Sequence, residues 1–222
     1  MSEPRLVVIR HGVTDWNREG RFQGHLDPPL SEAGRREAAL VAHRLTTDEI
    51  LCPTRIVASS LARAAQTAEV IGDACGVPVE LDARLMEIGQ GEWEGRTHAE
   101  LEVSDAQRYR AWRDAAGIRQ PPGGESIESA LDRVGAVLDQ VDRSAGGTTC
   151  LVSHGGTVRV LARLLFDLAD DRSWALDVDN ASIGVATLVG GRWRLDRWND
   201  TRHLLGVERT HVDESDGRPL AL

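Results

Sequence analysis

The chain contains no lysine: all 26 of its basic Lys/Arg positions are arginine. Genome composition explains such a bias, although the guanidinium group also suits bidentate binding of phosphate. Cysteine is scarce. Cys52, Cys75 and Cys150 are odd in number and widely spaced, which excludes both a disulfide framework and a zinc-ligand pattern and leaves buried free thiols as the expectation. Long apolar runs are missing too. Leu6 to Ile9 is far too short for the core of a signal peptide, and no later stretch reaches the length that spans a bilayer. A soluble, cytoplasmic protein with no membrane partner is therefore expected. A basic stripe is also lacking. The net charge is -9 with no local concentration of arginines, which argues against nucleic acid as a partner. A small anion, by contrast, needs only a local positive pocket.

What is present is the alternation of an α/β protein. A length of 222 residues suits one domain over 1–222. Leu6-Val7-Val8-Ile9 reads as a strand buried on both faces that ends in the polar triplet Arg10-His11-Gly12. Ser31 is the expected N-cap of an amphipathic helix carrying Ala38, Val41, Ala42 and Leu45. Ile56 to Ala58 reads as a second strand, followed by Ser59-Ser60 and a helix from Leu61 to about Cys75 that Gly76 closes. Val77 to Leu81 is a third strand candidate. A polar stretch from Thr97 to Gly117 is expected to be helical and anchored by Trp112. Pro121-Pro122-Gly123-Gly124 breaks it before a helix from Ser126 to Val141, so that about 96–145 forms a helical excursion over the sheet. Thr149 to Ser153 is another buried strand, ending in His154-Gly155-Gly156 and followed by a helical pattern at Val158, Leu161, Leu164 and Leu165. Ile183 to Val189 and Trp193 to Trp198, separated by Gly190-Gly191, read as a hairpin, and the polar tail from about 206 is expected to be mobile.

Side chains just beyond strand carboxyl ends converge on one crevice of an open α/β sheet, so Arg10, His11, Ser59 and His154 are expected to share a site, with Arg63 one turn into the helix after the second strand. Two guanidiniums, two imidazoles and nearby helix N-termini are what a tetrahedral phosphoryl dianion requires.

Several segments in this order carry a resemblance: Arg10-His11-Gly12-Val13-Thr14-Asp15-Trp16-Asn17 with Arg21-Phe22-Gln23-Gly24; Asp27-Pro28-Pro29-Leu30-Ser31-Glu32-Ala33-Gly34; Ser59-Ser60-Leu61-Ala62-Arg63-Ala64-Ala65-Gln66-Thr67-Ala68; Leu85-Met86-Glu87 with Gly91-Glu92-Trp93-Glu94-Gly95; Gly123-Gly124-Glu125-Ser126; and Val152-Ser153-His154-Gly155-Gly156. Together they resemble the histidine phosphatase superfamily, which includes cofactor-dependent phosphoglycerate mutases and acid phosphatases, and within it the bacterial phosphatase branch. The resemblance implies the phosphoglycerate mutase-like fold: a three-layer α/β sandwich with a mostly parallel central sheet flanked by helices. It also implies roles. His11 would be the phosphorylated nucleophile, Arg10, Arg63 and His154 the ligands of the phosphoryl oxygens, and Glu87 the proton donor. Asn17, Gln23 and Gly155 would border the phosphate and the leaving group. No metal and no cofactor is required, and the partner is a small phosphate ester; a homodimer stays open. A carboxyl that donates a proton near neutral pH needs a raised pKa, for which an apolar flank including Trp93 is the expected source.

Each residue type also has a plainer reading. A helix-surface arginine for Arg63 and a solvated carboxylate for Glu87 are the ordinary fates of those side chains. His25, His43, His98 and His211 have no motif support and read as surface or locally hydrogen-bonded histidines, and His203 reads as a tail histidine or a visitor to the site. Trp16, Trp93, Trp112 and Trp198 line a pocket or fill a core. Asn180-Ala181-Ser182 matches a glycosylation sequon but is read as a turn. The mutases of the superfamily typically carry a long insertion before the Gly123-Gly124-Glu125-Ser126 landmark. Here that connection is short and Ile88-Gly89-Gln90 departs from the aromatic stretch usual in mutases. Hydrolysis is thus favoured over phosphoryl return, with mutase activity and a non-catalytic phosphate-ester-binding module as alternatives. The candidate substrates are sugar phosphates, phosphoglycerate derivatives, including a glucosylated one, and nucleotide-loop phosphates.

Overall fold

In a computed structural model, which describes residues 3–114, 120–142, 147–169, 172–173 and 175–206, the apolar run near the start forms the strand β1 (Arg5–Arg10). Its side chains alternate between two cores, because successive residues of a strand point to opposite faces. Val7 and Ile9 join one apolar cluster while Leu6 and Val8 join the other. The run is continuous rather than alternating because both faces are covered by helices.

The other elements follow in order: α1 (Asp15–Arg18), α2 (Glu32–Thr46), β2 (Arg55–Ala58), α3 (Ala62–Cys75), β3 (Val79–Leu81), α4 (His98–Ser104), α5 (Ala106–Asp114), α6 (Ile127–Asp142), β4 (Thr148–Ser153), α7 (Gly155–Phe166), β5 (Ile183–Val189) and β6 (Arg192–Asp200). The strands form one six-stranded sheet in the order β3-β2-β4-β1-β5-β6. β1, β2, β3 and β4 run parallel, while β5 pairs antiparallel with β1 and β6 antiparallel with β5. The sheet is thus mixed: a parallel centre extended by the hairpin whose turn is Gly190-Gly191, both at positive φ.

Helices α2 and α3 cover one face, contributing Val41, Leu45, Ala64, Ala68 and Ile71 to the cluster around Val7, Ile9, Ile56 and Val152. Helices α6 and α7 cover the other, with Val134, Val137, Val158 and Leu161 packed on Leu6, Val8, Val57 and Leu151. Three layers result. α6, read from sequence as part of the excursion, packs on α7 and on the 3-10 turn Ala83–Leu85. Ser31 caps α2 by accepting from Gly34 N, and Gly76 at φ 68 ends α3, both where the sequence places them. β3 is shorter than Val77 to Leu81 because Val77 N instead donates to Gly72 O, closing the helix. Of the three cysteines only Cys150 is fully buried; Cys52 and Cys75, outside the sheet centre, are half-buried. Among the described residues no helix is long and apolar enough to cross a membrane. The end of the Thr97 to Gly117 stretch, the tail from 207 and His211 lie outside the described residues.

Candidate active site

Parallel pairing brings three strand ends to one edge. Arg10 stands opposite Ser153 and Ala58 opposite Val152, so the next residues, His11, His154 and Ser59, emerge side by side. The ladder continues briefly past the strands, with His11 N donating to Ser153 O at 2.9 Å and Ser59 N to Val152 O at 2.9 Å. The His11 and His154 rings lie 5.1 Å apart between centroids.

His11 is oriented by its own loop. Its Nδ1 lies 2.7 Å from Gly12 O. A carbonyl only accepts, so Nδ1 carries the proton and Nε2 keeps its lone pair. Burial, then Arg63 and Arg10, hold the imidazole pKa well below 6.5, the Gly12 bond offsetting only part of this. His11 is therefore neutral at pH 7. The loop itself is clamped: Gly12 N donates to Thr67 Oγ1 at 3.1 Å, Val13 N to Glu37 Oε2 at 2.7 Å, and Val13 O accepts from Ser31 N and Oγ. Glu37 is a largely buried carboxylate whose pKa burial raises, with Val13 and nearby arginines opposing. Helix α2 approaches so closely that a Cβ on Gly34 would lie 2.1 Å from Val13 O.

Arg63, 1 % exposed, reaches the same place from the first turn of α3. Its Nη1 and Nη2 donate to Leu26 O and Gly24 O, each at 2.9 Å, and its Nε to His154 Nδ1 at 3.2 Å. Two further N–H hydrogens stay available on the fork. Burial lowers its pKa to about 10, with Glu87 the foremost opposing charge, and the group is cationic at neutral pH. Arg10, also buried, donates to Val178 O at 2.6 Å. His154 gives its Nε2 proton to Ser59 Oγ at 2.8 Å, so both its ring nitrogens have protein partners. Burial, then Arg63 and His11, also push its pKa well below 6.5. Gly155 stands close to Arg10, since a Cβ there would meet the guanidinium carbon at 3.5 Å.

Glu87, 2 % exposed, completes the group from the loop after the Ala83–Leu85 turn. Its Oε1 accepts from Ile88 N at 2.9 Å and Thr157 N at 3.1 Å, and its Oε2 from Gly156 N at 3.2 Å. The first N–H groups of α7 thus hold a carboxylate of the protein itself, a favourable place for an acidic side chain. That N-terminus, expected from the sequence to face the phosphate, is occupied by Glu87. Trp93, expected as an apolar flank of Glu87, is committed to a buried aromatic cluster with Phe22, Tyr109 and Trp112, its indole donating to Asp105 at 2.9 Å. An apolar neighbour is Ile88: a Cβ on Gly156 would stand 3.0 Å from its Cδ1 and 2.7 Å from Glu87 Oε1.

Asn17 and Gln23 are positioned by Thr14. Thr14 and Asn17 form a capping box on α1: Asn17 N donates to Thr14 Oγ1, and Asn17 Oδ1 accepts from Thr14 N at 2.9 Å. Gln23 Oε1 faces Thr14 Oγ1 at 3.2 Å. Both amides therefore turn their oxygens to Thr14, and their NH2 groups point away from it. Three neighbours escaped the sequence reading. Asn180 donates to His11 O at 3.0 Å, His25 from the loop after the nucleophile donates to Glu87 O at 2.9 Å, and Thr67 receives Gly12. The turn at 180–182 was legible, with Ala181 at φ 55, but not its contact with His11. Thr67 lies within the Ser59 to Ala68 segment, and His25 directly follows Arg21-Phe22-Gln23-Gly24. His203 bonds Ala181 O at 3.0 Å, one residue from Asn180. His98 bonds Tyr109 at 2.7 Å, and Trp198 donates to Asp177 O at 2.8 Å.

Among the described residues no group of three His, Cys, Asp or Glu side chains is placed to hold a metal ion. Two buried guanidiniums, a neutral imidazole with a free Nε2 and a carboxyl group within one crevice are a phosphoryl-transfer constellation. The pattern of the histidine phosphatase superfamily (branch 1) matches residues 6–201, and the chain belongs to that family. It is 38% identical over 220 residues to a glucosyl-3-phosphoglycerate phosphatase of Mycolicibacterium vanbaalenii, covering 90% of this chain and 96% of that one. It is 33% identical over 204 residues to phosphoglycerate mutase-like protein 4 of Arabidopsis thaliana, covering 90% and 86%. The solved structure of a mycobacterial glucosyl-3-phosphoglycerate phosphatase complexed with VO3 superposes with a TM-score of 0.79 at 36% identity, covering 90% of this chain and 100% of that one. The family and these phosphatase relatives make the chain a phosphoric monoester hydrolase.

Proposed function

We propose that the chain hydrolyses a small phosphate monoester through a phosphohistidine on His11, with Glu87 as proton donor, and that its substrate is a phosphoglycerate derivative of the glucosyl-3-phosphoglycerate kind. The observation that carries the mechanism is the Nδ1 bond of His11 to Gly12 O, which leaves Nε2 as an unprotonated nucleophile in the field of Arg63 and Arg10. Nε2 attacks phosphorus in line, the P–O bond to the leaving group breaks, and the Glu87 carboxyl gives its proton to the departing oxygen. Arg10 and Arg63 stabilise charge on the equatorial oxygens; His154 does so by exchanging a protein partner for a phosphoryl oxygen, and the amide NH2 groups of Asn17 and Gln23 add donors. Water then attacks phosphorus, the P–N bond breaks, and the Glu87 carboxylate takes the water proton. No step requires a metal. The substrate rests on the 38% identity to a protein named for that activity over nearly its whole length.

The test is phosphate release from a panel comprising glucosyl-3-phosphoglycerate, 3-phosphoglycerate, sugar phosphates and p-nitrophenyl phosphate, with EDTA present and with or without bisphosphoglycerate. Highest kcat/KM on the glucosylated ester, unchanged by EDTA, is the expected result. Conversion of 3-phosphoglycerate to 2-phosphoglycerate without release would replace the reading by a mutase, and no turnover of any ester by a binding module.

A further inference from the structure

The Gly123-Gly124-Glu125-Ser126 segment and α6 have no part in the mechanism above, yet they meet the loop that carries Glu87. Arg133, on α6, donates from Nη1 to Arg84 O and to Met86 O, each at 2.7 Å. The rest of its fork closes on Glu125, Nε to Oε1 at 2.7 Å and Nη2 to Oε2 at 2.9 Å. Glu125 grips the far side of the same loop: its N donates to Gly89 O at 2.9 Å and its Oε2 accepts from Gly89 N at 3.3 Å. Ser129 Oγ bonds the other oxygen. Both side chains are mostly buried, at 17% and 13% exposure. Backbone docking reinforces the contact, since Gly91, at φ 56, approaches Pro122 O so closely that a Cβ would stand 2.3 Å from it.

We infer that the Arg133–Glu125 pair is a positioning device for Glu87, pinning residues 84 and 86 before it and residue 89 after it so that the carboxyl is held against the α7 N-terminus. The inference rests on Glu87 being the proton donor. Arginine is required because one planar fork serves a bidentate carboxylate and two carbonyls at once; a lysine ammonium has neither the reach nor the number of directed donors. Burial pushes the Glu125 carboxyl up, but the bonds and charge of Arg133, together with the bonds from Gly89 N and Ser129, outweigh it and hold the pKa below the ordinary value, so Glu125 is a carboxylate at neutral pH. An error of about 1 Å in a catalytic group costs on the order of 100-fold in rate, whereas a fold contact acts on all substrates alike.

The experiment compares p-nitrophenyl phosphate, whose leaving group needs little protonation, with glycerol phosphate, whose alkoxide needs it fully. Glu87→Gln, Arg133→Lys, Glu125→Gln and the double variant Arg133→Lys/Glu87→Gln are assayed, with Tm checked for each. Arg133→Lys and Glu125→Gln are expected to lower kcat/KM, which reports only the phosphorylation of His11, about 10- to 100-fold on glycerol phosphate and less than about threefold on p-nitrophenyl phosphate, while hydrolysis of phospho-His11, where Glu87 is the base for either ester, slows alike for both. The double variant should be no slower than Glu87→Gln alone. Equal losses of kcat/KM on both esters, or losses of kcat/KM that multiply in the double variant, overturn the inference while leaving the donor reading intact. If Glu87→Gln itself lowers kcat/KM equally on the two esters, the donor reading falls and the inference falls with it.

Discussion

Arg63 Nε donates to His154 Nδ1 across 3.2 Å, joining residues 91 positions apart. That contact sets the His154 tautomer, aims its Nε2 proton at Ser59, and keeps a cation beside two imidazoles whose pKa values are both depressed.

Stability should respond to pH accordingly. In the unfolded chain both histidines protonate near 6.5, while in the folded state burial and the arginines keep them neutral to much lower pH. The unfolded state therefore binds more protons below 6.5, so stability is complete above that pH and falls as pH drops. The slope should reach about 1.4 kcal/mol per pH unit for each histidine. Urea unfolding of wild type and His154→Gln between pH 7.5 and 5.5 checks this; an unchanged slope in the variant contradicts it. The acid limb of kcat/KM should likewise lie below pH 6.5.

His11→Ala should lose turnover by roughly four orders of magnitude or more. Rapid quench of the reaction with 32P-labelled ester into alkaline SDS should trap a base-stable, acid-labile phosphoenzyme in wild type and none in the variant. Labelled protein in the His11→Ala variant would sink the nucleophile assignment.

Gly34→Ala places a methyl group 2.1 Å from Val13 O, against backbone that has no rotamer to yield. Helix α2 and the His11 loop must separate, at about 1–3 kcal/mol of stability. Denaturant titration should show that loss, together with a fall in kcat larger than the change in KM.

Asn180→Ala removes one donor to His11 O but leaves the Ala181 N–H on the same oxygen. Stability should fall by about 1 kcal/mol. A kcat loss of roughly tenfold from the loosened nucleophile loop is expected; wild-type kcat in a variant with lowered Tm would restrict Asn180 to a structural role.

Local patterns carried much of this far. Both-face burial of β1 follows from four consecutive apolar residues, Ser31 and Gly76 mark helix ends by their own backbone chemistry, and Gly190-Gly191 announces the hairpin. The sheet order escaped, because pairing β1 with both β4 and β5 depends on contacts more than 100 residues away in the chain. The neighbours of the site escaped for the same reason. His25 follows Gly24 and Asn180 opens a turn, but neither place tells what the side chain will bond until tertiary contacts bring them to Glu87 O and His11 O.

By itself the sequence determined the family, the alternation of strands and helices, and the identity of the groups now gathered at the carboxyl edge: Arg10, His11, Arg63, Glu87 and His154. These are matters of residue type and local spacing. Only the tertiary structure decided which atoms of those groups face each other: that Nδ1 of His11 is tied to Gly12, that the α7 N-terminus holds Glu87 rather than lying open, and that Arg133 and Glu125 brace its loop. Hydrogen bonds are directional and short, so such choices are made by packing between distant segments, which spacing along the chain does not encode.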